Sequence, residues 1–539
     1  MKKTIITLLA ATGALFLRAQ DQCSTALAIM AGTYTVDTVD GAEAPQPNCT
    51  GGVIATHGEW YSWTAANDTL VTITTDLPVN VGRDTRFHVY TGACASLTCV
   101  AGDDDGGSGY LSVSSFDATA GTTYHISFDD YWESNGFVFQ LIESPAPVVA
   151  VGFTPVLTLS SYSNCVVDMN GDNLDDVVIP GTSTVQVYEQ QVGGGLTLNT
   201  LPTPAADHTA SWSIAAGDLD RNGYTDLLYG GGSGATFMYA NDSYTGFDEH
   251  SYPQYIFCQR TNMVDIDNDG DLDGFSCHDT QANVYFLNNG TDSLLYNQGG
   301  FGSTCGNYGS IWVDYDNDHD MDLFVAKCGC DPIDIFMRND GGLTYTSVAS
   351  PLGFADNHQS WSSAWGDFDN DGDMDVLVGS SSSTFHKLMR NDGGSFVNVT
   401  TGSGLDLFTG QSIEWVTHDF DNDGHLDILG GNGFLLGNGD MTFTASMITP
   451  TNGPIGDVNN DGFLDIVSGS TVFANDGNSN HWLTVNTIGT ISNSDGIGAR
   501  VEVQSASFTQ IRDVRSGDGF RNMSSLNTHF GLGADAAID

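Results

Sequence analysis

Basic side chains are scarce in this sequence: 15 Lys and Arg stand against 67 Asp and Glu over 539 residues, a formal charge of −52. Past residue 20 only Lys327, Lys387 and ten scattered arginines remain. No cationic cluster can therefore neutralise phosphates, which excludes nucleic-acid binding as a function class. An anionic membrane surface would repel the chain as well. Long hydrophobic runs are also missing. Beyond residue 20 none approaches the ~18 uninterrupted apolar residues of a spanning helix, so no integral membrane span is expected. Proline is sparse, 14 residues against 65 glycines, which points to many tight turns between short strands. The acidity does not signal disorder, because the chain is 40% hydrophobic and 10% aromatic, enough to build cores.

What is present begins with an export signal over residues 1–20, in which Lys2 and Lys3 precede the apolar run Thr4 to Leu17 and small residues lead to a cleavage site near Gln20. A secreted, extracellular or cell-surface location follows. All ten cysteines lie beyond this leader, an even number that suits disulfides in an oxidising compartment. Cys94 with Cys99, and Cys258 with Cys277, are the preferred pairs, although spacing alone does not dictate connectivity.

A phrase of nine residues recurs seven times, starting at residues 168, 218, 265, 314, 367, 419 and 457. Such self-similarity signals a repeat architecture. Apolar, often β-branched runs flank each copy, such as Val177-Val-Ile179 and Val376-Leu-Val378, as buried strands do. Two further strands follow around turns such as Asn391-Asp-Gly393. Each unit therefore reads as a four-stranded meander, and seven packed radially would bury both faces of every sheet. Phe153 to Leu159 precedes the first copy and is expected to complete the seventh unit.

Positions 1, 3, 5 and 9 of the phrase carry only Asp or Asn. They are Asp168, Asn170, Asp172 and Asp176; Asp218, Asp220, Asn222 and Asp226; Asp265, Asp267, Asp269 and Asp273; Asp314, Asp316, Asp318 and Asp322; Asp367, Asp369, Asp371 and Asp375; Asp419, Asp421, Asp423 and Asp427; and Asp457, Asn459, Asp461 and Asp465. Oxygens converging from one tight loop repel unless a hard cation sits among them. Ca²⁺ suits such a set better than Mg²⁺, because it takes 6 to 8 oxygen ligands and tolerates irregular geometry. Up to about seven ions are expected, bound more weakly by the loops with Asn170, Asn222 or Asn459. Position 6 is glycine in five copies and Asn173 or His319 in the others, as a left-handed turn requires. An EF-hand is excluded at position 12, where its bidentate Glu is replaced by Ile179, Tyr229, Ser276, Val325, Val378, Gly430 and Ser468.

The phrases and flanks such as Trp365-Gly-Asp-Phe-Asp-Asn-Asp-Gly-Asp-Met-Asp375 resemble the FG-GAP or VCBS repeats of integrin-α-like β-propellers. The resemblance spans roughly residues 150–478. It implies a calcium-stabilised seven-bladed propeller whose metal loops join the first two strands of each blade on one face, with ligands, protein or glycan, bound mostly on the opposite face. Residues 480–539, through Asn493-Ser-Asp-Gly-Ile-Gly-Ala-Arg-Val501 and His529-Phe-Gly-Leu-Gly533, resemble the ASPIC/UnbV domain that commonly follows such propellers. In that family a further strand follows, so the domain is read as partial, with any cell-surface attachment tail lying past Asp539.

Residues 21–145 alternate apolar and polar side chains, as at Val71 and Ile73 or Phe137, Phe139 and Leu141, and read as a jelly-roll-like β-sandwich. The whole chain is thus expected to be all-β. His88 and His125 fall out of phase with the apolar residues and are expected to face solvent. Trp212, Trp312, Trp361, Trp365 and Trp415 recur just ahead of the loops as core residues would, some of them doubling as an aromatic platform for sugars. No nucleophile stands beside a base, so the chain is read as a non-catalytic recognition or adhesion protein. The alternative is a calcium-dependent polysaccharide lyase or other carbohydrate-active enzyme on the same scaffold.

Overall fold

The computed structural model describes residues 20–538 except 52, 66–68, 119–120, 146–150, 291–293, 303–304, 381–385, 407, 409 and 447. The expected export signal therefore lies outside the described residues, apart from Gln20. The fold is all-β, and the chain divides into two compact units, Met1–Val148 and Val149–Asp539. No helix among the described residues is long and apolar enough to cross a membrane.

In the first unit a five-stranded sheet (Leu27–Ala28, Gly58–Thr64, Thr123–Asp129, Phe87–Thr91, Thr98–Asp103) and a four-stranded sheet (Gly32–Thr38, Asn135–Pro145, Thr69–Thr74, Val113–Ala118) share one core. Two of the expectations fail here. Cys23 bonds to Cys94 and Cys49 to Cys99, not Cys94 to Cys99, because the segments around residues 23 and 49 pack beside the turn that carries Cys94. His88 is buried rather than solvent-facing: its Nε2 lies 2.8 Å from Asp129 Oδ2, on a carboxylate that also takes Arg86. Its strand is covered on both faces, Phe87 and Val89 facing the shared core and His88 and Tyr90 facing the disulfide-bonded segment. His125 is half-buried.

The second unit contains seven four-stranded antiparallel sheets. Their first strands are Cys165–Val167, Ser213–Gly217, Cys258–Val264, Asn307–Val313, Ser360–Gly366, Trp415–His418 and Ile455–Gly456, and their second strands start at Asp176, Asp226, Asp273, Asp322, Asp375, Asp427 and Asp465. Six sheets are consecutive meanders. The outer strand of the seventh is Phe153–Thr158, paired antiparallel to Thr471–Asn475, as read from the sequence. An apolar cluster joins each sheet to the next, from the pair built on Val178 and Ile214 round to the pair built on Val177 and Val467. Cys258 and Cys277 do not pair, because Cys258 packs toward the second sheet and Cys277 toward the fourth, on opposite faces of their own sheet. The third disulfide is Cys305–Cys330.

Past the seventh sheet, His481–Val485 pairs with Thr528–Gly533 and Arg500–Gln504 with Thr509–Asp513. The segment between these pairs runs among the first strands of the seven sheets. Ser516 bonds to Ala216, Asn262 to Gly517, Glu414 to the amides of Phe520 and Arg521, Met523 to Asn164, and Ser525 to Ile455. The path needs glycine twice: a Cβ on Gly517 (φ 103°) would lie 2.0 Å from Arg260 Nη2, and one on Gly519 (φ 63°) 2.3 Å from Glu414 Oε1. Met523 is wholly buried among the first two sheets. Met523→Ala is therefore expected to destabilise this unit by about 2–5 kcal/mol, read as a lower urea midpoint. An unchanged midpoint would show that the inserted segment is not part of the cooperative fold.

Candidate metal centre

Each nine-residue loop joins the first and second strands of its sheet, and all seven fold alike because the same carboxylates grip the same amides. The position-1 Asp accepts the N–H of position 5 at 3.0–3.2 Å and that of position 6 at 2.6–3.2 Å. The position-5 side chain accepts the N–H of position 7 at 2.8–3.0 Å. The position-9 Asp accepts the position-2 N–H at 2.8–3.2 Å. Its other oxygen takes an N–H at the end of the third strand, at 2.7–2.9 Å.

Position 6 is left-handed in every copy, including Asn173 (φ 65°) and His319 (φ 73°), and so is position 4. The sequence reading missed position 4, although its occupants, Asn in five copies with Gly171 and Arg221, were a signal, since Asn tolerates this conformation best after glycine. Its side chain then reaches the next loop. Asn268 donates to Asp320 at 2.7 Å, Asn317 to Asp373 at 2.7 Å, Asn370 to the Gly424 carbonyl at 3.0 Å, and Asn422 to the Gly462 carbonyl at 2.9 Å. Arg221 pairs with Asp271 at 2.6 Å. Five successive junctions are clipped this way. A second set links the loops as well: Asn391, read only as a turn former, and Asn288 and Asn475, which the sequence reading did not single out, each donate to a carbonyl of their own loop and to one of the preceding loop.

Position 3 divides the copies. In four of them its Oδ1 accepts the position-5 amide. In the third, fourth and fifth loops the Oδ1 atoms of Asp267, Asp316 and Asp369 are buried with no hydrogen-bond partner. An acceptor without a donor is costly, and a divalent cation in each loop is the partner that its orphaned oxygen would share with the neighbouring carboxylates. In the second loop Asp218, Asp220 and Asp226 offer oxygens within 4.8 Å of one another, as do Asp265, Asp267 and Asp269 in the third. The donor set thus fits Ca²⁺, which would be held by positions 1, 3, 5 and 9 and would supply charge compensation. His418 and His425 adjoin the sixth loop and His319 lies in the fourth, whereas His278 sits at the far end of the strand that follows the third loop, its carbonyl accepting from Asn307 Nδ2.

Burial, reinforced by neighbouring carboxylates, pushes Asp176, Asp273, Asp322 and Asp465 up to about 8 and Asp375 to about 9. In the native state without bound cation these groups hold protons that the unfolded chain releases near pH 4. Stability from this source is therefore greatest below pH 4 and is lost as pH rises through 8 to 9. In excess chelator the melting temperature is expected to rise as pH is lowered from 8.5 to 6, and millimolar Ca²⁺ should flatten that slope. A chelated melt that is indifferent to pH would contradict the assignment.

The FG-GAP-like repeat model matches residues 168–229, 234–325 and 329–378, an FG-GAP repeat model matches 360–397, and the ASPIC and UnbV model matches 489–539. No functionally curated protein matches the chain. Solved structures that resemble it include a lectin of Agrocybe aegerita described as recognising non-reducing terminal N-acetylglucosamine, at 15% identity and TM-score 0.40 over 72% of this chain and 94% of that one. The BP39L lectin from Burkholderia pseudomallei aligns at 10% identity and TM-score 0.37, over 67% and 99% of the two chains. BBS1N, solved in complex with ARL6DN, aligns at 12% identity and TM-score 0.41, over 60% and 96%. Nothing about function follows from likeness at this level. The repeat matches and the recurring loop geometry together make this chain an FG-GAP-repeat protein with a C-terminal ASPIC and UnbV domain.

Proposed function

We propose that this is a secreted, calcium-binding recognition protein: a β-sandwich followed by a seven-bladed propeller whose loops bind Ca²⁺ at up to seven sites, non-catalytic, and engaging an extracellular protein or glycan. The observation that carries the calcium reading is the row of unpartnered buried oxygens of Asp267, Asp316 and Asp369 in three successive loops. Radial closure is supported by the apolar junction between the seventh sheet and the first. Three disulfides support an oxidising destination.

Which face is free for a partner follows from the C-terminal domain, which lies on the metal loops. Ser494 donates to Asp218 Oδ2 at 2.7 Å, Arg500 to the Asp314 carbonyl at 2.6 Å, and His529 Nε2 stands 2.7 Å from Asn422 Oδ1. The domain thus occupies part of that side, while loop tips such as Asn268, Asn317 and Asp371 stay exposed; recognition is assigned to the other side.

Calcium titration by calorimetry should give several sites, and saturation should raise the melting temperature, each site at a hundredfold excess over its Kd adding about 2.7 kcal/mol. Asp369→Asn is expected to remove or weaken one site without unfolding the chain. A glycan and surface-protein array should show binding that chelator abolishes. Absence of heat on titration together with an unshifted melt would overturn the calcium reading, and a blank array the recognition reading.

A further inference from the structure

The end of the ring opposite the metal loops has an aromatic collar. Six residues ahead of the first aspartate of each loop, at or shortly before the start of the first strand, stand Tyr162, Trp212, Gln259, Tyr308, Trp361, Ile413 and Thr451. Four of the seven are aromatic. Tyr162 is 47% exposed, and Trp212, Tyr308 and Trp361 are half-buried. This corrects the expectation for Trp212 and Trp361, since of the five tryptophans ahead of the loops only Trp312, Trp365 and Trp415 are core residues.

The inserted C-terminal segment forms the floor. Its tip, Phe520 and Arg521, reaches this mouth: the Phe520 ring centroid is 6.5 Å from that of Trp212 and 6.1 Å from that of Tyr308, and Arg521 neighbours Tyr162. Behind the tip, polar atoms of wholly buried residues have no hydrogen-bond partner: Nε and Nη2 of Arg260 and Oδ1 of Asn522, with Nε of Arg521 beside them. Glu414, Asp518 and, at the rim, Asp279 are the nearest carboxylates to these groups; Glu414 is committed to the Phe520 and Arg521 amides, Asp518 to Arg515, and Asp279 accepts from Gln259. Half-exposed aromatic faces around a few convergent polar groups are the make-up of a ligand site, and a guanidinium prefers a planar carboxylate.

We propose that this mouth is a glycan-binding site built jointly by the propeller and the C-terminal domain, taking a sugar that carries a carboxylate: the sugar stacks on Trp212, Tyr308 or Trp361, and its carboxylate meets Arg521. The proposal rests on the recognition reading above and gives it a site and a ligand class.

The test titrates the calcium-loaded full chain with oligogalacturonate, oligomannuronate and sialyllactose, with lactose and cello-oligosaccharide as neutral arms, following tryptophan fluorescence and heat. At least one acidic probe is expected to bind. Trp361→Ala and Trp212→Ala should weaken it at least tenfold, and Arg521→Gln should remove the preference for acidic over neutral sugars, all with a melting temperature near that of the parent. Two outcomes overturn the site. If an acidic probe binds but both tryptophan variants stay within twofold, recognition stands and lies elsewhere. If none of the five probes binds while a protein on the array does, the ligand is not a glycan.

Discussion

Everything in the larger unit depends on buried carboxylates that hold backbone amides. In each loop the position-1 and position-9 aspartates satisfy four N–H groups that neither strand could pair, so a tight turn forms where a ladder cannot continue. The same bonds favour ionised aspartates, while burial among other carboxylates disfavours them. A divalent ion at each loop, as proposed above, would reconcile the two demands.

Those loops also carry the contacts that run round the ring. Apolar clusters fill the space between sheets, but such packing is non-directional. Direction comes from the position-4 side chains and from Asn288, Asn391 and Asn475, each tying one loop to its neighbour. The C-terminal domain adds a third level of connection. It bonds to loops from several sheets and sends one segment among their first strands, so the sheets are tied to one another through it.

Much of this was legible in advance. Spacing and residue type alone identified the loops, the strand pairs around them and the outer strand Phe153–Thr158 that completes the seventh sheet, because local periodicity governs each of them. The cysteines were not. Cys258 and Cys277 sit 19 residues apart on neighbouring strands, yet face opposite ways. His88 shows the same limit: alternation assigned it to the second face of its strand, and a distant disulfide-bonded segment covers that face.

The sequence by itself determined the seven acidic loops, their turn geometry and their demand for positive charge, since all three follow from residues within nine positions of one another. Only the tertiary structure decided which of the tryptophans ahead of the loops are core and which are half-buried. It also decided that Ser516-Gly-Asp-Gly-Phe520 runs among the first strands. Those outcomes depend on segments 300 residues apart meeting in space, as Ser516 and Ala216 do, and nothing local encodes such a meeting.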